Sequence, residues 1–478
     1  MRFQQDGTTG AFIRRIPPMV FIFGLVILLE LEESVQRVPT IRLLENAICQ
    51  RLHRSTDPTS PIDEKMCKGN PVQVQLAYYR GLLSFFDSLP LILFGSVIGN
   101  FADCYGRRIT FALAVFGTLC SMGWIYMTCS LWDILPVEVV WLSSLFRLIG
   151  GGPAIAIAIC LTMVSDLSEE SNRSNGFYRV YSAVLITDFI GPLITYRSLQ
   201  YSLWLPYVVC GVSLLLTFPI LYHMPETLPE KASQERGMSA LNFSGIKVYL
   251  KFLSDYRIVI GITTIFLAQF RANLIEILLP YVSVRFDIEL GKVATLLSVV
   301  SAVNILAFLI VLPAISAALE KRAGWSITDI NICVARASSF LLGLGAATLA
   351  VAPTLSLVII ALIVYALGFG VRLSILAVLT SYIPIASDTA KLYTLVATTD
   401  AIAHLIASPM LQFTWSRALK IGGRWLALPF MLLTFIFFTA FVVSCFMKGE
   451  PKQSVDEYPD EEREPLLVAG EEADHENR

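Results

Sequence analysis

The chain has 478 residues, of which 55% are hydrophobic and only 15% are charged. Its mean hydropathy of +0.65 is higher than the core of a soluble protein of this length requires. The formal net charge of −2, without a basic stripe, argues against a nucleic-acid partner. The composition therefore predicts an all-α integral membrane protein.

Twelve apolar runs follow one another along the chain, separated by Gly, Pro or charged residues. A helix needs roughly 20 apolar residues to cross about 30 Å of hydrocarbon. The first six runs cover residues 17–45, 74–102, 109–131, 137–164, 177–196 and 203–224, and the last six cover residues 258–284, 293–319, 332–351, 355–383, 392–415 and 425–447. The sequence therefore predicts twelve transmembrane helices in two six-helix bundles.

A polar stretch between the sixth and seventh runs divides the chain. The predicted parts are a cytosolic N-terminus (1–16), an N-terminal bundle (17–224), a cytosolic linker (225–256), a C-terminal bundle (257–447) and a tail (448–478). Because the tail is acidic and nearly free of aromatic residues, it is predicted to be disordered.

Basic residues predict the orientation in the membrane. Arg14 and Arg15 precede the first helix, Arg107 and Arg108 follow the second, and the central linker is basic. Since cytosolic loops carry an excess of Lys and Arg, both termini are expected in the cytosol. Four cations in the predicted outer loop oppose this assignment, namely Arg51, Arg54, Lys65 and Lys68. The first run has no small-residue cleavage site and is expected to remain as an anchor.

Two of the cysteines, Cys49 and Cys67, fall in the predicted exoplasmic loop between the first and second helices. An oxidising space permits a disulfide there, and the bonded and free states are both open alternatives. Most of the other cysteines lie in apolar helices, where Cys serves as a small packing residue. No spacing typical of metal ligands occurs, so neither a metal site nor a cofactor is predicted.

The tail contains a possible sorting signal formed by Glu462, Leu466 and Leu467. An acid four residues before a dileucine resembles an endosomal or vacuolar sorting signal, and the alternative is two incidental leucines. The predicted residence is the plasma membrane or a vacuolar or endosomal membrane. Asn172 and Asn242 begin formal glycosylation sequons in predicted cytosolic segments, so neither is expected to carry sugar.

The segment between the second and third predicted helices, GNFADCYGRR, packs an acid, two glycines and two arginines between apolar runs. It resembles the signature of the major facilitator superfamily at this place. The matching residues are Gly99, Ala102, Asp103, Gly106, Arg107 and Arg108. The resemblance implies that Asp103 closes a cytosolic gate by capping the start of the eleventh helix, near residues 387–391. The alternative is a tight turn whose charges only set topology.

Further segments of the N-terminal half resemble the same superfamily. Arg147 and the glycines after it resemble a helix-four motif, which implies that Arg147 faces a cavity and meets an acid. Two other superfamily segments are resembled by residues 166–173 and by residues 225–227. The chain also resembles fungal members that are distantly similar to the proton-coupled folate and thymic carrier branch, at residues 38–49 and 63–73. Gly191 and Pro192 partly match a helix-five bend found in drug-proton antiporters.

Ionisable residues inside the predicted helices are candidates for a cavity and for proton coupling, because unpaired charges in a membrane are costly. They are Glu30, Glu33, Asp87, Arg147, Asp188, Arg271, Glu276, Arg372, Asp400 and His404. Glu33 and Arg37 are spaced for an ion pair, which is either functional or a structural pair near the outer rim. Asp400 and His404 are four residues apart, so they can share a proton near neutral pH. Helices one, four, seven and ten are expected to line the path.

The sequence therefore predicts a secondary active transporter that moves a small organic solute by alternating access. It has no nucleotide-binding loop, so a proton gradient is the expected energy source. Its expected partners are the solute, protons and the bilayer, with the monomer as the working unit. The preferred direction is efflux of a secondary metabolite or toxicant; the alternatives are proton-coupled uptake of an organic anion and a non-transporting sensor. No enzymatic activity is predicted.

Overall fold

The computed structural model describes residues 17–53, 63–167, 173–227, 254–382 and 386–448. These ranges are helical and contain no β-strand, which confirms the predicted all-α class. Several sequence predictions concern residues outside them: Arg14, Arg15, Arg54, both sequon asparagines and the tail signal at Glu462, Leu466 and Leu467.

Six helices precede the linker. They are α1 (Pro18–Leu52), α2 (Asn70–Tyr105), α3 (Arg107–Ser130), α4 in two parts (Ser143–Phe146 and Gly152–Leu167), α5 (Arg173–Tyr201) and α6 (Leu205–His223). Short 3-10 turns cover Glu64–Lys68 before α2 and Val137–Leu142 before α4. Proline is the first residue of α1 and the second residue of α2 and α6, where its missing N–H has no partner to lose.

Six helices follow the linker. They are α7 (Tyr256–Phe286), α8 (Leu290–Leu306, continued by a π-helical turn at Ala307–Val311 into Leu312–Ala323), α9 (Ile327–Val351), α10 (Leu355–Leu367 and, after a turn at Gly368–Gly370, Val371–Ser381), α11 (Ala386–Ile421) and α12 (Leu428–Cys445). Side chains of Asp255, Ser326 and Thr354 accept hydrogen bonds from backbone N–H groups at the starts of α7, α9 and α10.

Seven of the described helices are long and apolar enough to cross a membrane: α3, α6, α7, α8, α9, α10 and α12. Helix α2 bends by 54° between Asn70–Gly95 and Val97–Tyr105, and it makes an eighth if these two parts count as one span. The other four carry charges along their length or, like α4, are interrupted. The chain is a multi-pass membrane protein, and the count of twelve spans stays a prediction.

The fourth helix is broken, so the continuous helix predicted over residues 137–164 is wrong. Gly150, Gly151 and Gly152 have φ of +83°, +83° and +75°, which is the left-handed region that a right-handed helix excludes. A Cβ on Gly150 would lie 2.3 Å from the backbone nitrogen of Ala114 in α3. The glycine run therefore lets the chain pass close to α3 and restart as a helix at Gly152.

The molecule has two ends, which we name by their residues. The disulfide end carries the loop between α1 and α2, where Cys49 and Cys67 form a disulfide. The motif end carries residues 99–108, between α2 and α3. The two bundles meet along α2 with α11 and along α5 with α8.

Close packing joins the bundles in the half of the molecule nearer the disulfide end. A Cβ on Gly81 of α2 would lie 3.0 Å from the Cβ of Gln412 in α11. A Cβ on Gly291, at the start of α8, would lie 3.5 Å from the Cβ of Leu199 in α5. The helices therefore approach closely there because small residues stand at the crossings.

Candidate functional site

A cavity of about 710 Å³ lies between the two bundles. Helices α1, α2, α4 and α5 line one side, α7 and α8 line the other, and Phe369 and His404 add a side chain each. The expected lining by helices one, four, seven and ten was therefore too narrow. The predicted residues that line the cavity are Glu30, Glu33, Asp87, Arg147, Asp188, Arg271, Glu276 and His404.

Arg372 and Asp400 are not among the lining residues and instead pair with each other. The Nε atom of Arg372 lies 2.7 Å from Oδ2 of Asp400. The two ring nitrogens of His404 face other groups, with Nδ1 3.2 Å from Oδ1 of Asn273 and Nε2 3.5 Å from Oγ of Ser84. In this structure His404 therefore contacts Asn273 and Ser84 rather than Asp400, and proton sharing between Asp400 and His404 stays a prediction.

Arg147 meets the acid that its position in the membrane requires. Its Nη2 atom lies 3.0 Å from Oδ2 of Asp87, and the hydroxyl of Ser144 donates to Oδ1 of the same carboxylate at 2.5 Å. Asp87 is in α2 and Arg147 follows the first part of α4, so the pair ties two helices of one bundle together. A paired and hydrogen-bonded charge avoids most of the cost of burial.

Two further arginines of the cavity have carboxylate partners. Arg37 lies 3.1 Å from Glu33, one turn earlier in α1, as their spacing predicted. Arg80 of α2 reaches across to α7, where Nη2 lies 3.9 Å from the Glu276 carboxylate and Nη1 donates to the Glu276 backbone carbonyl at 3.2 Å. The contacts between Arg80 and Glu276 join the two bundles, and they break if α2 and α7 separate.

Acids without an ion pair gather on the α1 and α5 side of the cavity. Glu32 is 1% exposed, and both its carboxylate oxygens lack a hydrogen-bond partner among the described residues. Glu30 is 8% exposed, and neither it nor Asp188 forms a salt bridge within the described ranges. Within the described ranges, none of these three carboxyl groups therefore has a cation within salt-bridge distance.

Gly191 allows α5 to approach this part of α1. A Cβ on Gly191 would lie 2.3 Å from Oγ of Ser34. Pro192, the next residue, lies inside α5 and lines the cavity. The pair therefore shapes the wall in which Asp188 stands.

At the motif end, Gly106 separates α2 from α3 with φ of +108°. The carboxylate of Glu226, which follows α6, accepts hydrogen bonds from the backbone N–H groups of Arg107 at 2.9 Å and Arg108 at 3.3 Å. The Arg107 guanidinium bridges Asp103 at 2.5 Å and Asp166 at 3.4 Å. Glu226 thus caps the N-terminus of α3, where a negative charge is favourable.

At the disulfide end, Glu64 connects the two bundles. Its Oε1 atom accepts a hydrogen bond from the backbone N–H of Leu290, at the start of α8, at 2.9 Å. Arg42 lies 3.1 Å and Lys68 2.9 Å from the same carboxylate. Burial alone would raise the pKa of Glu64, but Arg42, Lys68 and the Leu290 N–H outweigh it and hold that pKa below its usual value.

Three of the four cations that opposed the predicted orientation lie in the described residues, and each of these three has a specific partner. Lys68 also lies 2.9 Å from Glu45, and Lys65 lies 3.8 Å from Asp287 of the other bundle. Arg51 donates to the backbone carbonyls of Trp132 and Leu135. These cations therefore form contacts within the protein. The orientation of the protein in the membrane stays a prediction.

A family model of the Major Facilitator Superfamily matches residues 77–408. The chain belongs to this superfamily. It is 28% identical over 428 residues to the MFS efflux pump atnC of Emericella nidulans, covering 84% of this chain and 82% of the relative. It is 24% identical to the MFS-type transporter avaK of Aspergillus versicolor, covering 90% of this chain and 91% of the relative.

Solved structures of the superfamily share the fold. The D-xylose-proton symporter matches with a TM-score of 0.64 at 14% identity, covering 91% of this chain and 98% of the symporter. The human organic anion transporter MFSD10 matches with a TM-score of 0.57 at 17% identity, covering 90% of this chain and 100% of that chain. These structures show the shared fold, while the family model and the curated relatives show that the chain is a major facilitator transporter rather than an enzyme.

In this superfamily member, Asp103 contacts Arg107. The expected partner of Asp103 is the start of α11, near residues 387–391. The side chains of residues 386–391, at the start of α11, are outside the described set. The gate role of Asp103 therefore stays a prediction. Sequence reasoning missed Glu226 as the cap of α3, although the resemblance had marked residues 225–227.

We predict that Glu64→Gln loosens the disulfide end. The lowered pKa means that the charged form of Glu64 stabilises the closed end above its ordinary pKa, and this contribution is lost as the pH falls through the lowered pKa. Since a hydrogen bond to a charged group contributes about 1.5–3 kcal/mol, the variant should open roughly tenfold more often. The measurement is the rate at which a membrane-impermeant maleimide, applied from that side, labels Ser84→Cys in the cavity.

The matched control is Glu138→Gln, because Glu138 accepts a hydrogen bond from Tyr79 of its own bundle at 2.7 Å. In the Glu138→Gln protein, the maleimide should label Ser84→Cys at the same rate as in the protein with Glu138 unchanged. Equal rates for Glu64→Gln and the control, at neutral and at acidic pH, would remove the assigned role of Glu64.

Proposed function

We propose that this chain is a proton-coupled exporter of a small organic compound that works by alternating access. The observation that carries the proposal is the cavity between the bundles, with unpaired carboxyl groups on one wall and arginines around them. In such a carrier, two bundles rock about a central site and expose it to one side at a time.

The contacts at the disulfide end suggest which state the molecule occupies. Glu64 with Leu290, Arg80 with Glu276, and Gly81 with Gln412 all join the bundles in that half. With the disulfide end placed on the exoplasmic side, as the basic residues predict, this state has its outer side closed. The cycle then requires these contacts to break while contacts at the motif end form.

Proton coupling is supported by the unpaired acids of α1. A charged carboxylate in an apolar environment is costly unless it gains a cation, a hydrogen-bond donor or a proton. Glu32 has no such partner among the described residues, so proton binding and release at this group change the balance between the two states. Glu30 and Asp188 line the same wall and share this task.

Export is supported by relatives that are named efflux pumps and that align with most of this chain. One relative is named an efflux pump and covers 84% of this chain, and a second efflux pump, ustT of Aspergillus flavus, covers 80% at 24% identity. In the proposed cycle, the compound leaves the cytosol in exchange for protons that move inward. The runner-up, uptake of an organic anion with protons, uses the same cavity and is favoured by Arg271 on its wall.

The test compares cells of the source organism with and without the gene. Export predicts that losing the gene raises the intracellular amount and lowers the secreted amount of at least one small organic compound, measured by mass spectrometry. A protonophore should do the same to the intact strain, and a restored gene should reverse the loss. The opposite sign would indicate uptake, and no change in any compound would favour a non-transporting sensor.

A further inference from the structure

The cavity has two walls that carry unpaired groups of opposite charge. On the N-terminal bundle, Glu32 lines the cavity with both carboxylate oxygens buried and without hydrogen-bond partners in the described ranges. On the C-terminal bundle, Arg271 of α7 lines it, and its Nε atom is likewise buried without a partner there. A ligand placed between the bundles therefore meets an acid on one side and a guanidinium on the other.

The remaining arginines of the cavity are already paired. Arg37, Arg80 and Arg147 have Glu33, Glu276 and Asp87 as their respective carboxylate partners. Arg372, which neighbours this region, is paired with Asp400 at 2.7 Å. Among the described cavity arginines, Arg271 alone has no carboxylate within salt-bridge distance.

Arg271 is held in place without being neutralised. Its guanidinium lies 4.6 Å from the centre of the Phe369 ring, and the hydroxyl of Tyr365 donates to the Arg271 backbone carbonyl at 2.8 Å. The aromatic face stabilises the cation on one side and supplies no hydrogen-bond acceptor. The guanidinium therefore keeps donors for an oxyanion, which its planar fork binds in a bidentate manner.

We propose that the exported compound is amphoteric, with a basic nitrogen that binds the Glu32 carboxylate and an acidic group that binds Arg271. This inference rests on the proposed export function and specifies its substrate class. A purely acidic compound would leave Glu32 unpaired, and a purely basic one would leave Arg271 unpaired. Only a compound with both groups satisfies both walls at once.

An amphoteric substrate also explains the exchange with protons. The substrate nitrogen and a proton compete for the same α1 carboxyl groups, so loading the substrate releases a proton and proton entry releases the substrate. The acidic group on Arg271 takes no part in this competition and supplies affinity in both protonation states. One cavity thereby couples outward movement of the compound to inward movement of a proton.

The test uses three dipeptide probes of nearly equal size with the purified full-length protein in detergent. The probes are L-phenylalanyl-L-phenylalanine, its C-terminal amide, which lacks the carboxylate, and its N-acetyl form, which lacks the amine. We expect the free dipeptide to raise the melting temperature and to bind at least about tenfold more tightly than either blocked form. Arg271→Gln should remove the preference over the amide, and Glu32→Gln the preference over the N-acetyl form.

Arg271→Lys serves as the charge-preserving variant, and it should keep part of the preference over the amide. Retention volume in size-exclusion chromatography shows that each variant is folded. Equal binding of the three probes, or no binding of the free dipeptide, would overturn the inference. Export of a compound without ionisable groups would also overturn it and leave the export function standing, whereas binding as predicted without any flux would overturn the export function alone.

Discussion

Glu32→Gln is expected to reduce export driven by a pH difference strongly while the protein still inserts and folds. Glutamine keeps the size of the side chain but neither releases a proton nor attracts a basic nitrogen. Since coupling between two sites typically changes affinity by roughly 5- to 150-fold, the flux gained from the pH difference should fall by a factor in that range. The measurement is uptake into everted vesicles of the compound identified in the gene-loss comparison.

The control for Glu32→Gln is Glu320→Gln, because Glu320 is an exposed acid near the end of α8, away from the cavity. It should transport like the parent protein. A Glu32→Gln protein that still accumulates the compound in response to the pH difference would show that the coupling proton binds elsewhere.

Gly150→Ala is expected to prevent correct folding. Its Cβ would lie 2.3 Å from the Ala114 nitrogen, and its φ of +83° is unfavourable for any residue with a side chain. Overlap with backbone atoms and backbone strain together should cost at least about 2–4 kcal/mol. The measurement is the amount of monodisperse protein in detergent and its melting temperature.

Gly123→Ala is the matched control, since a Cβ at this position in α3 has no neighbouring atom within 4 Å. Alanine favours a helix over glycine, so this variant should keep or slightly gain stability. If Gly150→Ala matches Gly123→Ala in yield and melting temperature, the close passage between α3 and the break in α4 is not required.

The sequence was sufficient where the deciding interaction is local or is imposed by the membrane. Glu33 and Arg37 are one helical turn apart, so their pairing follows from spacing alone. The need of Arg147 for an acid follows from the cost of a charge in hydrocarbon. That the acid is Asp87 depends on how α2 and α4 pack, and spacing along the chain does not contain this information.

The residues predicted from the sequence did not include Glu32. Glu30, Glu33 and Arg37 share one face of an ideal helix, whereas Glu32 lies on another face. The cavity wraps around enough of α1 to include both faces. A count of every acid in the first predicted helix, without regard to its face, would have found Glu32.

The contacts that join the bundles were not predictable from residue patterns. Glu64 is one of several charged residues in a short loop, and its partner is a backbone N–H 226 residues further along the chain. The break in α4 was also missed, although its three glycines are visible in the sequence. Glycines often occur inside membrane helices, so their number alone does not show that the helix stops.

The central claim is that the two ends of the molecule open in alternation, and distances between spin labels test it without knowledge of the substrate. In protein whose reactive free cysteines are replaced, one label pair at Met66 and Lys292 reports on the disulfide end, and another at Tyr105 and Ile327 reports on the motif end. Changing the pH should lengthen one distance and shorten the other. Distances that stay fixed at both ends, or that lengthen together, would contradict the account.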